Sequence, residues 1–381
     1  MLFGATPRFV RSLASAVAQL SLEAGVKLVT HVPGYGASQT FAQFPGQMSS
    51  YHEEVAYGMA VGAALAGYPS LCLIKMHGLL KAANAVVCSL SAGVSAGCLT
   101  VVFDDPSGSH SDNQLPTVEM LTALEIPTLV AHQPEQVPAA LGQAWLASQR
   151  TGLPHVLVVD SSWMERPFES DLPHFELDSR PFQSDRAGQL VCPLLGDYQR
   201  QRLLGRLGRE HRAISARLPQ IDELPGSWKS QLALYRPWMK QALNSGRPTL
   251  VAGDTGLSSL LGLEPLGWVD TIGWMGGSLP LALGALAAGA HSAWAVTGDF
   301  SFLAAGHLGW LEALRRQLPL RVLLFDNGRA QATGGQPVDS QLLDQLLVGP
   351  GCQEITRPED FCLDIDQAGP LLYRFRLNQE G

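Results

Sequence analysis

AWAVTGDFSFLAAGHLGWLEALRRQLPLRVLLFDN, residues 293–327, holds the pattern that decides the fold. Ala293 to Thr297 is a short apolar run that ends in Gly298-Asp299. A helical stretch over Phe302 to Arg316 follows, and a second apolar run, Arg321 to Phe325, ends in Asp326-Asn327. Strand, helix and strand at this spacing form the unit of a parallel sheet, and if the two strands are neighbours they present their terminal residues together. The carboxyl ends of parallel strands make the crevice in which open α/β sheets bind ligands, and a helix N-terminus after Asp299 favours an anion there. Mg2+ takes oxygen ligands shared among protein, phosphate and water, so one carboxylate, one side-chain amide and one backbone carbonyl would suffice. Taken alone, Gly-Asp after a strand is equally well a turn.

The same alternation extends outward. Thr249 to Gly253 reads as a strand and Leu279 to Ala290 as a helix in the same half. In the other half, Val10, Leu13, Val17 and Leu20 recur at helical spacing, and Val26 to Val32 runs as a strand into Pro33-Gly34. Strands follow at Ser70 to Ile74, Cys98 to Phe103, Thr128 to Val130 and His155 to Val159. Helices fall at Glu53 to Leu65, Leu79 to Ser91 and Pro134 to Ala147. Between Trp163 and Trp238 the pattern dissolves into a charged connector. The expectation is an α/β protein with two doubly wound parallel-sheet domains, 1–165 and 239–381, joined by a linker over 166–238.

A length of 381 residues with 46% hydrophobic and 16% charged residues suits two packed domains. The net charge of -8 comes without a basic cluster, which argues against nucleic-acid binding. The six cysteines, Cys72, Cys88, Cys98, Cys192, Cys352 and Cys362, show none of the close spacings of zinc or iron-sulfur ligation and read as reduced. The run Leu279 to Ala290 is too short to span a bilayer, and the N-terminal stretch reads as a first amphipathic helix rather than a leader, so a cytoplasmic location without membrane attachment is expected.

Gly298-Asp299, a spacer and Asp326-Asn327 together resemble the metal motif of thiamine-diphosphate enzymes, GDG or GDS followed by N or NN. That resemblance implies thiamine diphosphate and Mg2+ as cofactors, with Asp299, Asn327 and the main-chain carbonyl of Arg329 as metal ligands. Phe300 stands where a small residue is usual, while Ser301-Phe302 matches the common continuation. Gly273-Trp274-Met275-Gly276 resembles the GxMG segment, in which the residue at Met275 lies under the cofactor; a lone Met is otherwise core filling. Asp254-Thr255, at the first strand end of the same half, would sit beside the diphosphate or the pyrimidine edge. His52-Glu53-Glu54-Val55-Ala56 resembles the HExxA segment and implies Glu53 as the acid that hydrogen-bonds the cofactor's aminopyrimidine nitrogen. Without that resemblance, Glu53 and Glu54 are ordinary first-turn acids. The implied layout is a pyrimidine-binding domain first and a diphosphate-binding domain second.

Several segments resemble the large subunit of indolepyruvate ferredoxin oxidoreductases: His31-Val32-Pro33-Gly34-Tyr35, Ile74 to Leu79, Asp104-Asp105-Pro106 with His110-Ser111, and Thr333-Gly334-Gly335-Gln336. That subunit carries a ferredoxin-like domain with clustered cysteines, which this sequence lacks, and Lys81 stands in place of its Asn. The layout also resembles short two-domain 2-oxo acid decarboxylases. Non-oxidative decarboxylation of a 2-oxo acid, such as an aryl- or substituted pyruvate, is therefore the first expectation. Oxidation through a separate electron-transfer subunit is the second, and a degenerate cofactor-binding protein the third. His77 and His110 are the expected proton donors, with a structural role open for each and for His31, whereas His307 reads as structural. Lys75 and Lys81 are candidates to meet a substrate carboxylate. The resemblance further implies a homodimer or higher homo-oligomer.

Overall fold

The computed structural model describes residues 11–349 and 351–377. Val10 lies outside them; the first helix, α1 (Leu13–Glu23), starts from Ser12, whose hydroxyl accepts from the Ser15 amide. The first half is a parallel sheet of β1 (Leu28–His31), β2 (Ser70–Lys75), β3 (Cys98–Asp104), β4 (Thr128–Val130) and β5 (His155–Asp160), in the order β1-β2-β3-β5-β4. Its helices include α2 (Glu53–Leu65), α3 (Ala83–Ala92) and α4 (Val137–Thr151). The connector contributes α5 (Gly196–Arg206) and α6 (Gly226–Leu243). The helix α6 spans residue 238 and packs Tyr235, Trp238 and Met239 into the core of the second half.

The second sheet is parallel too: β6 (Leu250–Gly253), β7 (Thr271–Ile272), β8 (Ala293–Gly298), β9 (Arg321–Asp326), β10 (Cys352–Ile355) and β11 (Leu371–Arg376), in the order β10-β11-β9-β8-β6-β7. The α/β class and the two parallel sheets are as expected. The final two strands were not legible beforehand. The expected helix Leu79 to Ser91 is two helices, Met76–Lys81 and α3, and the expected helix Phe302 to Arg316 divides into a π-helical turn, Phe302–Gly306, and α8 (His307–Arg316). From β6 the chain passes to β7 on one side, and from β8 to β9 on the other. The loops leaving adjacent strands β6 and β8 therefore part, which opens a crevice at their carboxyl ends.

Alternation along each strand sorts side chains into separate cores. Leu71 and Leu73 of β2 pack with α1 and α4, while Cys72 and Ile74 face the opposite way toward α2. That second core is continuous across the molecule, because α2 packs on α7 (Ser278–Ala287) of the other half. The contact is close enough to need glycine. A Cβ on Gly62 would stand 2.0 Å from the Leu281 carbonyl oxygen, and one on Gly284 would stand 1.9 Å from that of Met59. The small-residue faces of these helices thus pack within one chain. No helix of the described residues is long and apolar enough to cross a membrane.

Candidate active site

The crevice at the ends of β6, β8 and β9 holds a cavity of about 150 Å3 lined by Thr255, Met275, Gly298, Asp299, Ser301, Asn327 and Arg329, among others. Strand register explains the assembly. Gly298 pairs with Phe325, so the next residues, Asp299 and Asp326, emerge side by side. The Asp299 carboxylate is buried and accepts from the amides of Phe300 at 2.8 Å and Gly328 at 2.7 Å. Burial, and then Asp326 beside it, push its carboxyl well above the usual carboxylate range. Asp326 itself is neutralised by Arg374 of β11, 2.6 Å away and almost fully buried. Asn327 is buried at the loop start, with its side-chain oxygen 3.2 Å from the Arg329 amide.

Asp254 lies beneath the cavity and is fully buried. It accepts from the Ser278 amide at 2.7 Å and from the Thr297 hydroxyl, and burial raises it to about 6. Neither Asp254 nor Asp299 has a cationic side-chain partner among the described residues. A buried carboxylate in that condition fits a hard divalent cation, whose charge would offset the desolvation, and the Asn327 and Arg329 oxygens at the same loop are the donors such an ion prefers. Among the described residues no group of three or more His, Cys, Asp or Glu converges on a metal position, so a site here would be built from carboxylate, amide and carbonyl oxygen. The helical run after β8 starts at Asp299, and its first residues, Asp299, Phe300 and Ser301, line the cavity.

Three of the expected cofactor residues, Asp254, Gly273 and Phe302, stand outside this lining. Phe302 is fully buried in the shared core, and Gly273 binds its amide to the Gly253 carbonyl at 3.1 Å, which ties the Met275 loop to β6. Met275 and Phe300 remain partly exposed at the mouth, at 36% and 40%. Sequence reasoning missed Tyr235. It comes from α6, packs its ring on Phe325 at 4.4 Å and lines the cavity, and only the spacing of Tyr235, Trp238 and Met239 along a helix face could have hinted at it.

Glu53, His77 and His110 come together in a separate cavity of about 250 Å3 at the carboxyl ends of the first sheet, with Lys75. Glu53 opens α2 and leans on Gly78, where a Cβ would meet its Cγ at 2.6 Å. Lys81 reaches this carboxylate: its ammonium lies 3.1 Å from Glu53 Oε2 and is half exposed. That approach lacks hydrogen-bond geometry, so Oε2 is buried with no hydrogen-bond partner. Glu54 points elsewhere: its carboxylate accepts from Trp274 Nε1 of the second half at 2.6 Å, and burial raises its pKa.

His77 Nε2 is 2.6 Å from Asn113 Oδ1, and His110 stacks on Tyr35 with ring centroids 3.6 Å apart. Lys75 donates to the His110 carbonyl at 2.6 Å and to the Ser111 hydroxyl. Asp105 shapes this loop by accepting from the amides of Ser109 and His110. His31 is different. It is buried at the end of β1, stacks on Phe41 at 4.3 Å, and burial lowers its pKa to about 4, which marks a neutral structural histidine. His307 lies at the start of α8 with Nδ1 3.1 Å from the Phe302 carbonyl.

Residues 254–362 match the family described as thiamine pyrophosphate enzyme, C-terminal TPP binding domain. Among curated proteins the chain is similar to indolepyruvate oxidoreductase subunit IorA of Archaeoglobus fulgidus, 29% identical over 157 residues, which is 37% of this chain and 25% of that protein. The same subunit of Methanothermobacter thermautotrophicus is 27% identical over 150 residues, again 37% of this chain and 24% of that protein. The chain thus matches about a quarter of the length of these relatives. Among solved structures, benzoylformate decarboxylase from Polynucleobacter necessarius superposes with a TM-score of 0.66 at 11% identity, covering 97% of this chain and 99% of the other. A thiamine diphosphate-dependent 4-hydroxybenzoylformate decarboxylase of Rhodococcus jostii gives 0.62 at 13% identity, covering 97% and 99%. Residues 254–362 thus resemble the C-terminal TPP binding domain of thiamine pyrophosphate enzymes, and the chain as a whole shares the fold of the thiamine diphosphate-dependent enzymes it superposes on.

Proposed function

We propose that this chain catalyses the thiamine-diphosphate- and Mg2+-dependent decarboxylation of a 2-oxo acid. The observation that carries the reading is the pair of half-sites: an uncompensated buried carboxylate, Asp299, at the switch point of one sheet, and an acid, Glu53, among His77, His110 and Lys75 at the other. When bound, thiamine diphosphate supplies the carbon nucleophile and electron sink that loss of CO2 requires. Asp299, Asn327 and the Arg329 carbonyl would hold Mg2+ against the diphosphate. Thr255, Gly298 and Ser301 border the same cavity, Asp254 and Gly273 brace it, Met275 at its mouth would support the cofactor, and Phe302 anchors the helical turn in the core.

Glu53 Oε2, free of hydrogen bonds within its chain, is the atom that would offer a proton to the pyrimidine nitrogen. His77 Nε2 and the His110 ring face the same space and would return a proton to the product carbon, releasing an aldehyde. Lys75 gives this space a positive charge that draws a 2-oxo acid anion. The two cavities share no lining residue, which supports a homodimer in which Glu53 of one chain serves the cofactor held by its partner.

A second reading is oxidation of the 2-oxo acid with a separate electron-transfer subunit. The similarity to IorA, named as an indolepyruvate oxidoreductase subunit, favours it over the 37% of the chain that matches. Retention of both Glu53 and the Asp299-Asn327 pair weighs against a degenerate protein. The test is to incubate the purified chain with thiamine diphosphate, Mg2+ and a panel of 2-oxo acids, following CO2 and aldehyde with and without a low-potential electron acceptor. Release of CO2 and aldehyde without acceptor is expected; strict dependence on acceptor would replace decarboxylation by the second reading.

A further inference from the structure

A cavity of about 670 Å3 opens where the connector lies against the first sheet's helices, and its walls carry Arg150, Arg180, Arg202 and Arg206 against one acid, Asp185. In a chain of net charge -8 this is a local concentration of the opposite sign. The size is that of a small-molecule site, which commonly spans several hundred Å3. The cavity shares no residue with the cofactor cavity or with that of Glu53.

Arg202 and Arg206 stand four residues apart on α5, and so on one face of it. Backbone without side chains makes room for both. A Cβ on Gly93 would lie 1.9 Å from Arg206 Nη1, and one on Gly188 would lie 1.7 Å from Arg202 Nη1. Arg202 pairs with Asp185 and donates to the Ala92 carbonyl at 3.4 Å. Arg206 donates to the Gly152 carbonyl at 3.1 Å and has no acidic partner among the described residues. These carbonyls belong to the ends of α3 and α4 and occupy only part of each guanidinium, which carries five N–H donors. Burial, followed by the like charge of Arg202, lowers Arg206 to about 10, so its charge is held there against opposition that an anion would relieve.

Asp178, 3.6 Å from Arg180, offsets part of that charge, but the four guanidiniums still outnumber the two acids, and their planar forks offer more N–H donors than the oxygens of one phosphate accept. We propose that this cavity binds an anion carrying a diphosphate group, with Arg202 and Arg206 forking onto the phosphate oxygens and Arg150 and Arg180 at the rim. The proposal does not depend on the reaction assigned above.

Calorimetric titration tests it, using the full chain loaded with one equivalent of thiamine diphosphate in excess Mg2+. The probes are adenosine diphosphate and inorganic diphosphate, with sulfate as control. Binding of either diphosphate above sulfate is expected, weakened at least about tenfold in Arg206→Gln and in Arg180→Glu, the latter on an exposed segment whose change leaves the fold intact. Tighter binding of the nucleotide would identify a nucleoside diphosphate as the ligand; equal binding would identify the diphosphate group alone. The proposal is overturned if neither probe binds, or if both bind equally well to the two variants. It is also overturned if Arg206→Gln lowers only the melting temperature while Arg180→Glu changes nothing, since Arg206 is then a helix-end cap.

Discussion

Mixing two inactive variants puts the division of labour between the half-sites to the test. Glu53→Gln removes the carboxyl group from one cavity and leaves the Asp299 cavity intact; Asp299→Ala does the reverse. Each alone is expected to lose roughly 10^2- to 10^4-fold in turnover, the usual range for a positioned acid. Glu53 and Glu54 are successive residues of α2 and so diverge by about 100° around its axis. Glu54 engages Trp274 of its own second half, which leaves Glu53 directed at the other cavity. If the acid serves a partner chain, random pairing of an equal mixture makes half of the dimers hybrid. Each hybrid holds one intact and one doubly disabled centre, so activity should recover to about a quarter of wild type. The assay is turnover of a responsive 2-oxo acid before and after dissociation and reassociation, with chain exchange followed by a mass tag. Activity equal to the sum of the unmixed variants, despite proven exchange, would refute the shared centre and place both groups in one chain's site.

Three further outcomes follow from the geometry. Asp299→Ala should weaken Mg2+-dependent binding of thiamine diphosphate on the order of a hundredfold, read by tryptophan fluorescence, with an unchanged circular dichroism spectrum. For Asp254 the folded pKa is raised, from 3.8 to about 6, so its contribution is full below about pH 4 and is lost as pH rises through 6. Asp254→Asn should therefore stabilise the cofactor-free protein by about 2 to 3 kcal/mol at pH 7, with the gain vanishing near pH 4; a gain independent of pH in urea unfolding would contradict this. Gly62→Ala should cost about 2 to 3 kcal/mol and lower the urea midpoint without changing its slope, because the new methyl group meets the Leu281 carbonyl.

The parts legible in the sequence were those governed by local pattern. Apolar runs bounded by Gly, Pro and Asp located most strands of both sheets within a residue or two, and Asp299 and Asn327 emerged where neighbouring strands would put them. The strand Leu371–Arg376 escaped because its buried Arg374 breaks the apolar signal. Its partners, Asp326, Asp344 and Glu354, come from distant parts of the chain, and only folding shows that the charge is neutralised. The π-helical turn at Phe302–Gly306 has no local signature, and it divides what reads as one helix. Likewise Tyr235 reaches the Asp299 cavity through a connector helix on which Trp238 stacks with Phe375 at 4.6 Å. The diverging directions of Glu53 and Glu54 follow from helix geometry, but which of the two meets Trp274 does not.

The crossing of α2 and α7 has a mechanical consequence. With Gly62 and Gly284 each seated against a backbone carbonyl, the two helices touch main chain to main chain, and close packing of that kind resists sliding and tilting. The halves of the chain are then expected to move as one plate, with hinge closure between them disfavoured as a way to shield a reacting substrate from water. Shielding falls instead to the segments that overhang the cavities, the Asp105-braced loop carrying His110 and the loop from Gly328 to Val338. Any gating in this protein is accordingly a matter of loop ordering rather than domain motion.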